Sequence, residues 1–180
     1  MKKKLLFLSL IALMMSCGSK PLDPLPPVPE DFLTSILTCD KTDLTTDNST
    51  TVKEVSVASE ENSEISFTFE LGVPCYRNEK GNVPQIGVRP GSYIKAKSNY
   101  YIDRIVVDGY VKKMPYKIYN SVEMTSAISY HETGETSMDA SEANAKVYSY
   151  EIKSNFFTIV NDDEYGTGTF YAIKVIYKNS

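Results

Sequence analysis

The sequence predicts an all-β fold: an antiparallel β-sandwich of jelly-roll-like or Ig-like type with one or two short helices. Three observations lead there. Ile65, Phe67, Phe69 and Leu71 alternate with Ser66, Thr68 and Glu70, a period of two that buries one face of a strand. Similar runs rich in β-branched and aromatic residues recur along the chain. Between them lies turn chemistry: Glu79-Lys80-Gly81-Asn82, Arg89-Pro90-Gly91, Asp108-Gly109, Lys153-Ser154-Asn155 and the stretch from Asp162 to Gly168. Short strands with such punctuation describe a sandwich, and 180 residues suffice for one domain with a proper core.

At the N-terminus, Lys2, Lys3 and Lys4 precede an apolar run from Leu5 to Met15, then Ser16 and Cys17. As a helix that run spans about 16 Å, too short for a hydrocarbon core ~30 Å thick. A basic head, a short apolar stretch and a small residue before the cut read as a secretory signal, residues 1–16. Met14-Met15-Ser16-Cys17 resembles the lipobox of bacterial lipoproteins, with Met14 where Leu is commoner. That resemblance implies acylation of Cys17 with palmitate-type chains and a membrane partner reached through the lipid. The expected location is the cell envelope, as an outer-membrane lipoprotein. Without residues 1–16, 16 basic residues face 23 acidic ones. So acidic a chain has no electrostatic footprint for nucleic acid.

Residues 17–45 are expected to form a tether. Within it, residues 18–30 carry prolines at 21, 24, 26, 27 and 29, which favour an extended, semi-rigid stalk of roughly 40 Å. Phe32, Leu33, Ile36 and Leu37 fit a short helix or an edge strand. Thr42 to Thr51 reads as loop. The domain proper is expected over residues 46–180. Its strands are read at Thr51–Ser59, Ile65–Leu71, Ser92–Ser98, Tyr101–Val111, Tyr116–Tyr119, Val122–Tyr130, Val147–Ile152, Phe156–Val160 and Thr169–Lys178. Asp139 to Lys146 offers a capping acid with Glu142 three positions on, then helix formers, and predicts a two-turn helix.

Chemistry-bearing residues are few. Cys39 and Cys75 are the thiols left beside Cys17; an oxidising compartment suits a disulfide, worth about 4 kcal/mol on loop entropy, unless they lie beyond bridging distance. His131 is the one histidine. It could serve as a base for Cys39 or Cys75, or simply sit in a polar loop. Neither a zinc helix, a nucleophile elbow nor a phosphate loop is present as a motif, so no catalysis and no cofactor are expected. Asp162, Asp163 and Glu164 could offer calcium hard oxygens, or merely turn a hairpin. Of the 13 tyrosines, Tyr93, Tyr100, Tyr101, Tyr110, Tyr116 and Tyr119 cluster in sequence, interleaved with lysines, and form a candidate ligand face. Tyrosine is also a good strand former.

The runs from Ile65-Ser66-Phe67 to Val88-Arg89, Ser92-Tyr93-Ile94-Lys95-Ala96, Ile102-Asp103-Arg104-Ile105-Val106-Val107 and Gly168-Thr169 to Tyr177 resemble a β-rich module of small Bacteroidetes envelope lipoproteins. The resemblance covers residues 64–178 and implies a jelly-roll-like sandwich without an assigned activity. The expected function is a lipid-anchored envelope binding or interaction module for a glycan or another envelope protein. A structural subunit of an envelope assembly and a weak hydrolase are the alternatives.

Overall fold

The computed structural model describes residues 22–27, 29–47, 50–110, 116–162 and 166–178, with Tyr110 described by its backbone alone. The chain is mostly antiparallel strand in a curled, sandwich-like sheet, as the alternation at 65–71 predicts. The strands are β1 (Leu33–Thr38), β2 (Lys53–Ala58), β3 (Ser66–Leu71), β4 (Cys75–Asn78), β5 (Gln85–Val88), β6 (Tyr93–Tyr110), β7 (Tyr116–Tyr119), β8 (His131–Glu132), β9 (Ala145–Asn161) and β10 (Gly168–Lys178).

Two long strands build both layers. The first half of β6 pairs with β3 and with the second half of β9, which also carries β7. Its second half pairs with β10 and with the first half of β9, which also carries β8. β1 and β5 complete the β10 side, with β4 beyond β5. The paired strands therefore bend over together, and their inner faces enclose one core. Phe67, Phe69, Phe157, Phe170 and Tyr177 are fully buried there. Phe67 meets Phe69 edge-on at 5.2 Å and Tyr177 at 5.1 Å.

The bend is made by two opposed bulges. On β6, Ile102 pairs with Ser154 and Arg104 with Glu151, leaving Asp103 unpaired; β10 skips Asp103 as well. On β9, Lys153 takes φ +47°. One extra residue reverses which face of a strand looks inward. The core positions accordingly run Ile94, Ala96, Ile102 and then Ile105, Val107 on β6, and Tyr150, Ile152 and then Phe157, Ile159 on β9. Bulging also places the adjacent Asp103 and Arg104 together. Arg104 Nε donates to Asp103 Oδ2 at 2.6 Å, and Lys153 pairs with Asp103 Oδ1 across the ladder.

Several expectations are corrected here. Lys153-Ser154-Asn155 is no turn but the β9 bulge, and Asp108-Gly109 lies inside β6. Gly109 is required there because a Cβ would sit 2.5 Å from the Thr169 carbonyl, where β10 passes close. Val122–Tyr130 is not a strand: residues 122–127 are exposed, with no face to bury, and only His131–Glu132 pairs onto β9. Asp139–Lys146 forms turns instead of a helix, since the Asp139 carboxylate is held by Ser141 Oγ at 2.6 Å and by the amide of Asn82 at 3.4 Å. The single helical element among the described residues is a 3-10 turn, Cys39–Lys41. The segment at 33–38 is strand β1, paired along β10, so it belongs to the sheet that was expected to begin at 46. β4 and β5 have no counterpart among the expected strands.

The expected stalk is corrected too, over its described part. Leu22 bridges His131 in parallel, its amide donating to Tyr130 O and its carbonyl accepting from the Glu132 amide. Arg104 Nη1 donates to Pro26 O at 2.6 Å. Residues 22–27 thus cross the outer face of the sheet toward Phe32, which packs on Val106, Val147 and Ile176. A buried guanidinium needs acceptors, and the proline segment, with carbonyls to spare, supplies one.

Candidate functional site

At the end of the sandwich away from the bend, the β4–β5 hairpin, the start of β10 and the turn before β9 enclose a cleft of about 490 Å³. Tyr76, Asn78, Lys80, Gln85, Glu142 and Thr169 are among its lining residues. Tyr76 lies flat on its cross-strand partner Gly87, where a Cβ would meet the ring at 2.6 Å. Arg89 sits 4.9 Å from the same ring centroid. Asn78 Nδ2 donates to Gln85 Oε1 at 3.1 Å, and Gln85 Nε2 to Lys80 O at 2.8 Å. These bonds fix the two amides while leaving each with further capacity. Thr169 is 7% exposed, and its Oγ1 is buried with no hydrogen-bond partner among the described residues. Such an atom ordinarily carries a partner.

The hairpin tip is tied down. Asn82 Nδ2 donates to Ser141 Oγ at 2.7 Å, and Gly81 takes φ +103° beneath the Asp139 carboxylate. The Ser141 hydroxyl, and then the Asn82 amide, hold the Asp139 carboxyl below the usual range against its partial burial. A neighbouring cleft of about 450 Å³ shares Glu142 and adds Glu132, Glu135 and Tyr148. Beneath it Asp108 is 6% exposed and accepts from Ser137 Oγ at 2.6 Å and the Met138 amide at 2.7 Å. Burial outweighs those bonds and raises its carboxyl pKa.

Of the six tyrosines expected to share a face, the five with described side chains are dispersed by strand alternation and by the bend. Tyr93 lies over Gly72 on the outer surface and donates to Glu70 Oε1 at 2.7 Å, with Lys95 4.8 Å from its ring. Tyr100 turns inward against Tyr177 at 5.0 Å, and its neighbour Tyr101 points out. Tyr116 is a core residue 4.9 Å from Phe170. Tyr119 is half-buried, and the Tyr110 side chain lies outside the described residues. The tyrosines that do gather are Tyr116, Tyr130, Tyr148 and Tyr150, from distant points of the chain. Burial holds the Tyr116 and Tyr150 phenols protonated far above their ordinary range.

The expected disulfide is absent: Cys39 and Cys75 are both buried free thiols. Cys39 belongs to the turn after β1, whereas Cys75 pairs within β4–β5 and points its Sγ at Tyr93 O, 3.7 Å away. Burial pushes the Cys75 thiol up to about 12 and also raises Cys39. His131 Nδ1 lies 2.6 Å from Asp23 O, occupied in holding the proline segment. Asp162 pairs with Lys117; Asp163, Glu164 and Cys17 lie outside the described residues. No group of three or more His, Cys, Asp or Glu side chains able to hold a metal occurs among the described residues. Sequence reasoning missed the cleft because its wall, Tyr76, belongs to a strand of four residues without alternation. The Gly87 opposite was the available signal: glycine inside a strand marks a close approach. Compared with known proteins, the chain matches no family model and no curated protein.

Proposed function

We propose that the chain is a lipid-anchored binding module of a bacterial cell envelope that takes a small, polyhydroxylated ligand of glycan type in the cleft beside Tyr76. The observation that carries this reading is the Thr169 hydroxyl, buried and unpartnered among the described residues, in a cleft that also presents two amides, Lys80 and Glu142. Closely spaced donors and acceptors against an aromatic wall suit a sugar. The basic head, short apolar run and Cys17 support the anchor and the outer-membrane location.

The sheet edges favour a binding module over a structural subunit. Each terminal strand is screened within the chain, β1 by the Glu60 amide on Thr34 O at 2.9 Å. β2 is met by Ser35 Oγ on Val57 O at 3.2 Å, β4 by Arg77 donating its amide to Thr45 O at 2.7 Å, β7 by the Ile128 amide on Ile118 O at 2.8 Å, and β8 by Leu22. Screened edges disfavour strand-to-strand assembly.

Titration calorimetry with neutral, N-acetylated and acidic mono- and disaccharides tests the reading. Binding to one class is expected, weakened roughly tenfold in Thr169→Val, the factor for one lost hydrogen bond of ~1.4 kcal/mol. Silence across the panel, or undiminished binding by Thr169→Val, would refute it.

A further inference from the structure

Both clefts owe their shape to the connection 133–144, which leaves β8 and returns to begin β9. With no helix to hold it, this connection is fastened point by point. Thr133 Oγ1 donates to Val147 O at 3.1 Å, Ser137 Oγ and the Met138 amide donate to the buried Asp108, and Asn82 Nδ2 at the β4–β5 tip donates to Ser141 Oγ. Its side chains therefore present a fixed wall. Glu142 lines both clefts. Its Oε1 accepts from the Asn144 amide at 3.3 Å and from Asn144 Nδ2 at 3.4 Å, while Oε2 has no hydrogen-bond partner among the described residues. We propose that the ligand is an oligosaccharide bearing free amino groups, seated on Tyr76 and Thr169 in the first cleft and extending past Glu142 into the second. The inference rests on the sugar reading above and narrows it to a cationic, oligomeric class.

Charge is the first observation. The walls of the two clefts carry Glu132, Glu135, Asp139 and Glu142 against Lys80 and Lys146. None of the six forms an ion pair among the described residues. Four carboxylates against two amines leave an acidic hollow, and a concave surface of one sign concentrates ligands of the other. The carboxylates are spread around a cleft of about 450 Å³, and no three of them lie close enough to hold one metal ion. The counter-charge that fits is an organic ammonium, whose three N–H donors match carboxylate oxygens.

The second observation is independent of charge. Thr169, 7% exposed and with its Oγ1 unpartnered among the described residues, lines the first cleft beside the Tyr76 ring and the amides of Asn78 and Gln85. One hydroxyl and two amides match sugar hydroxyls, and a simple polyamine would leave them unused. Each cleft alone has the size of a small-ligand site, roughly 300–1,000 Å³. Glu142, common to both, thus joins two subsites for consecutive units of one chain. A unit on Tyr76 gives its amine to Glu142, and the next lies against Glu132 and Glu135.

Calorimetric titration of the full-length chain at pH 6 compares a linear glucosamine tetramer with its N-acetylated counterpart, which keeps every hydroxyl but carries no charge. The amine form is expected to bind about tenfold tighter or more, the factor for one charge-assisted hydrogen bond. That preference should fall severalfold as salt rises from about 50 to 500 mM. Glu142→Gln keeps the oxygen that Asn144 holds, and is expected to shrink the ratio between the two tetramers to within about threefold. Glu135→Gln should weaken the amine tetramer more than the glucosamine monomer; equal losses would overturn the extension into the second cleft. Equal or tighter binding of the N-acetylated tetramer, or an undiminished ratio in E142Q, would overturn the cationic class while the sugar reading stands. A tetralysine peptide that binds as tightly as the amine tetramer, unaffected by Thr169→Val, would overturn the sugar in favour of a basic peptide. Failure of every saccharide would overturn the sugar reading itself, and this inference with it.

Discussion

Replacing Asp103 by Asn tests the clasp that bends β6 and β9. Asp103 is 4% exposed and Arg104 6%; their pair is buried, whereas the Lys153 side chain is 46% exposed. Removing the carboxylate charge leaves the Arg104 guanidinium buried against a neutral acceptor, the Pro26 carbonyl. Stranding one member of a buried pair costs about 3–5 kcal/mol. Lys153 can turn to solvent, so its share is that of a surface pair, under about 1 kcal/mol. The expected loss for Asp103→Asn is therefore about 3 kcal/mol, and for Lys153→Gln under about 1 kcal/mol. In urea, with a slope near 2 kcal/mol per M, the Asp103→Asn midpoint falls by roughly 1.5 M. The pH profile adds a second signature. Burial would raise the Asp103 carboxyl, but the hydrogen bonds from Lys153 and Arg104 outweigh it and hold the pKa below the usual carboxylate range. A depressed folded pKa contributes stability above the unfolded value near 4, lost as pH falls through the folded value. Asp103→Asn should flatten that acid limb. Equal losses for Asp103→Asn and Lys153→Gln, or a loss below about 1 kcal/mol for the former, would show that the bend does not depend on the buried pair.

Gly109→Ala places a Cβ 2.5 Å from a backbone oxygen of β10; because neither strand can yield, a loss of about 1–3 kcal/mol is expected in the same urea assay, and an unchanged midpoint would refute the close approach. Both folded thiols should resist a thiol reagent at pH 8, since burial raises each and takes Cys75 to about 12. They should react fully in denaturant, and rapid reaction of the native protein would contradict their burial. Asp108 should behave oppositely to Asp103. Its raised carboxyl stabilises the fold below the unfolded value near 4, a contribution lost as pH rises through the folded value. Asp108→Asn should therefore lose less stability at pH 7 than at pH 4, relative to the parent, and the reverse order would refute the assignment.

What the sequence disclosed, and what it hid, turns on the bulges. β3 was legible because Phe67, Phe69 and Leu71 keep one parity throughout. β9 was read as two strands because its inward positions pass from even to odd across Lys153, whereas β6 was divided between Ser98 and Tyr101, where its pairing to β9 shifts between Lys97 and Ile102. A period-two reading meets such a flip as an interruption, and the polar residues nearby supply a plausible turn. Gly109 misled in the same way: glycine marks turns, yet here it admits a neighbouring strand. β5 was invisible because Gln85, Ile86, Gly87 and Val88 are all buried, so they show no alternation. The ligand face expected from six tyrosines failed for a related reason. Closeness along the chain implies a shared face only within one strand and one parity, and those residues span a bulge and two strands, β6 and β7. The cleft was hidden because Tyr76, Glu142 and Thr169 meet through pairing of β4 with β5 and β5 with β10, between segments far apart in sequence.

The same bulge that bends the sheet also recruits the proline segment. An ordinary strand would put Asp103 and Arg104 on opposite faces, and the arginine would have neither its carboxylate nor reason to reach Pro26. With the extra residue both point outward from the core, the acid neutralises the base, and Nη1 of the guanidinium turns to the Pro26 carbonyl. Prolines suit this partner because they have no amide hydrogen to satisfy, so a short extended run can cross the sheet using its carbonyls alone. Loss of the ion pair therefore loosens one of the contacts that hold residues 22–27, the others being the Leu22 bridge and His131 Nδ1 on Asp23 O. A strand-level defect at Asp103 should then appear first as cleavage near residues 22–27 in limited proteolysis, before global unfolding.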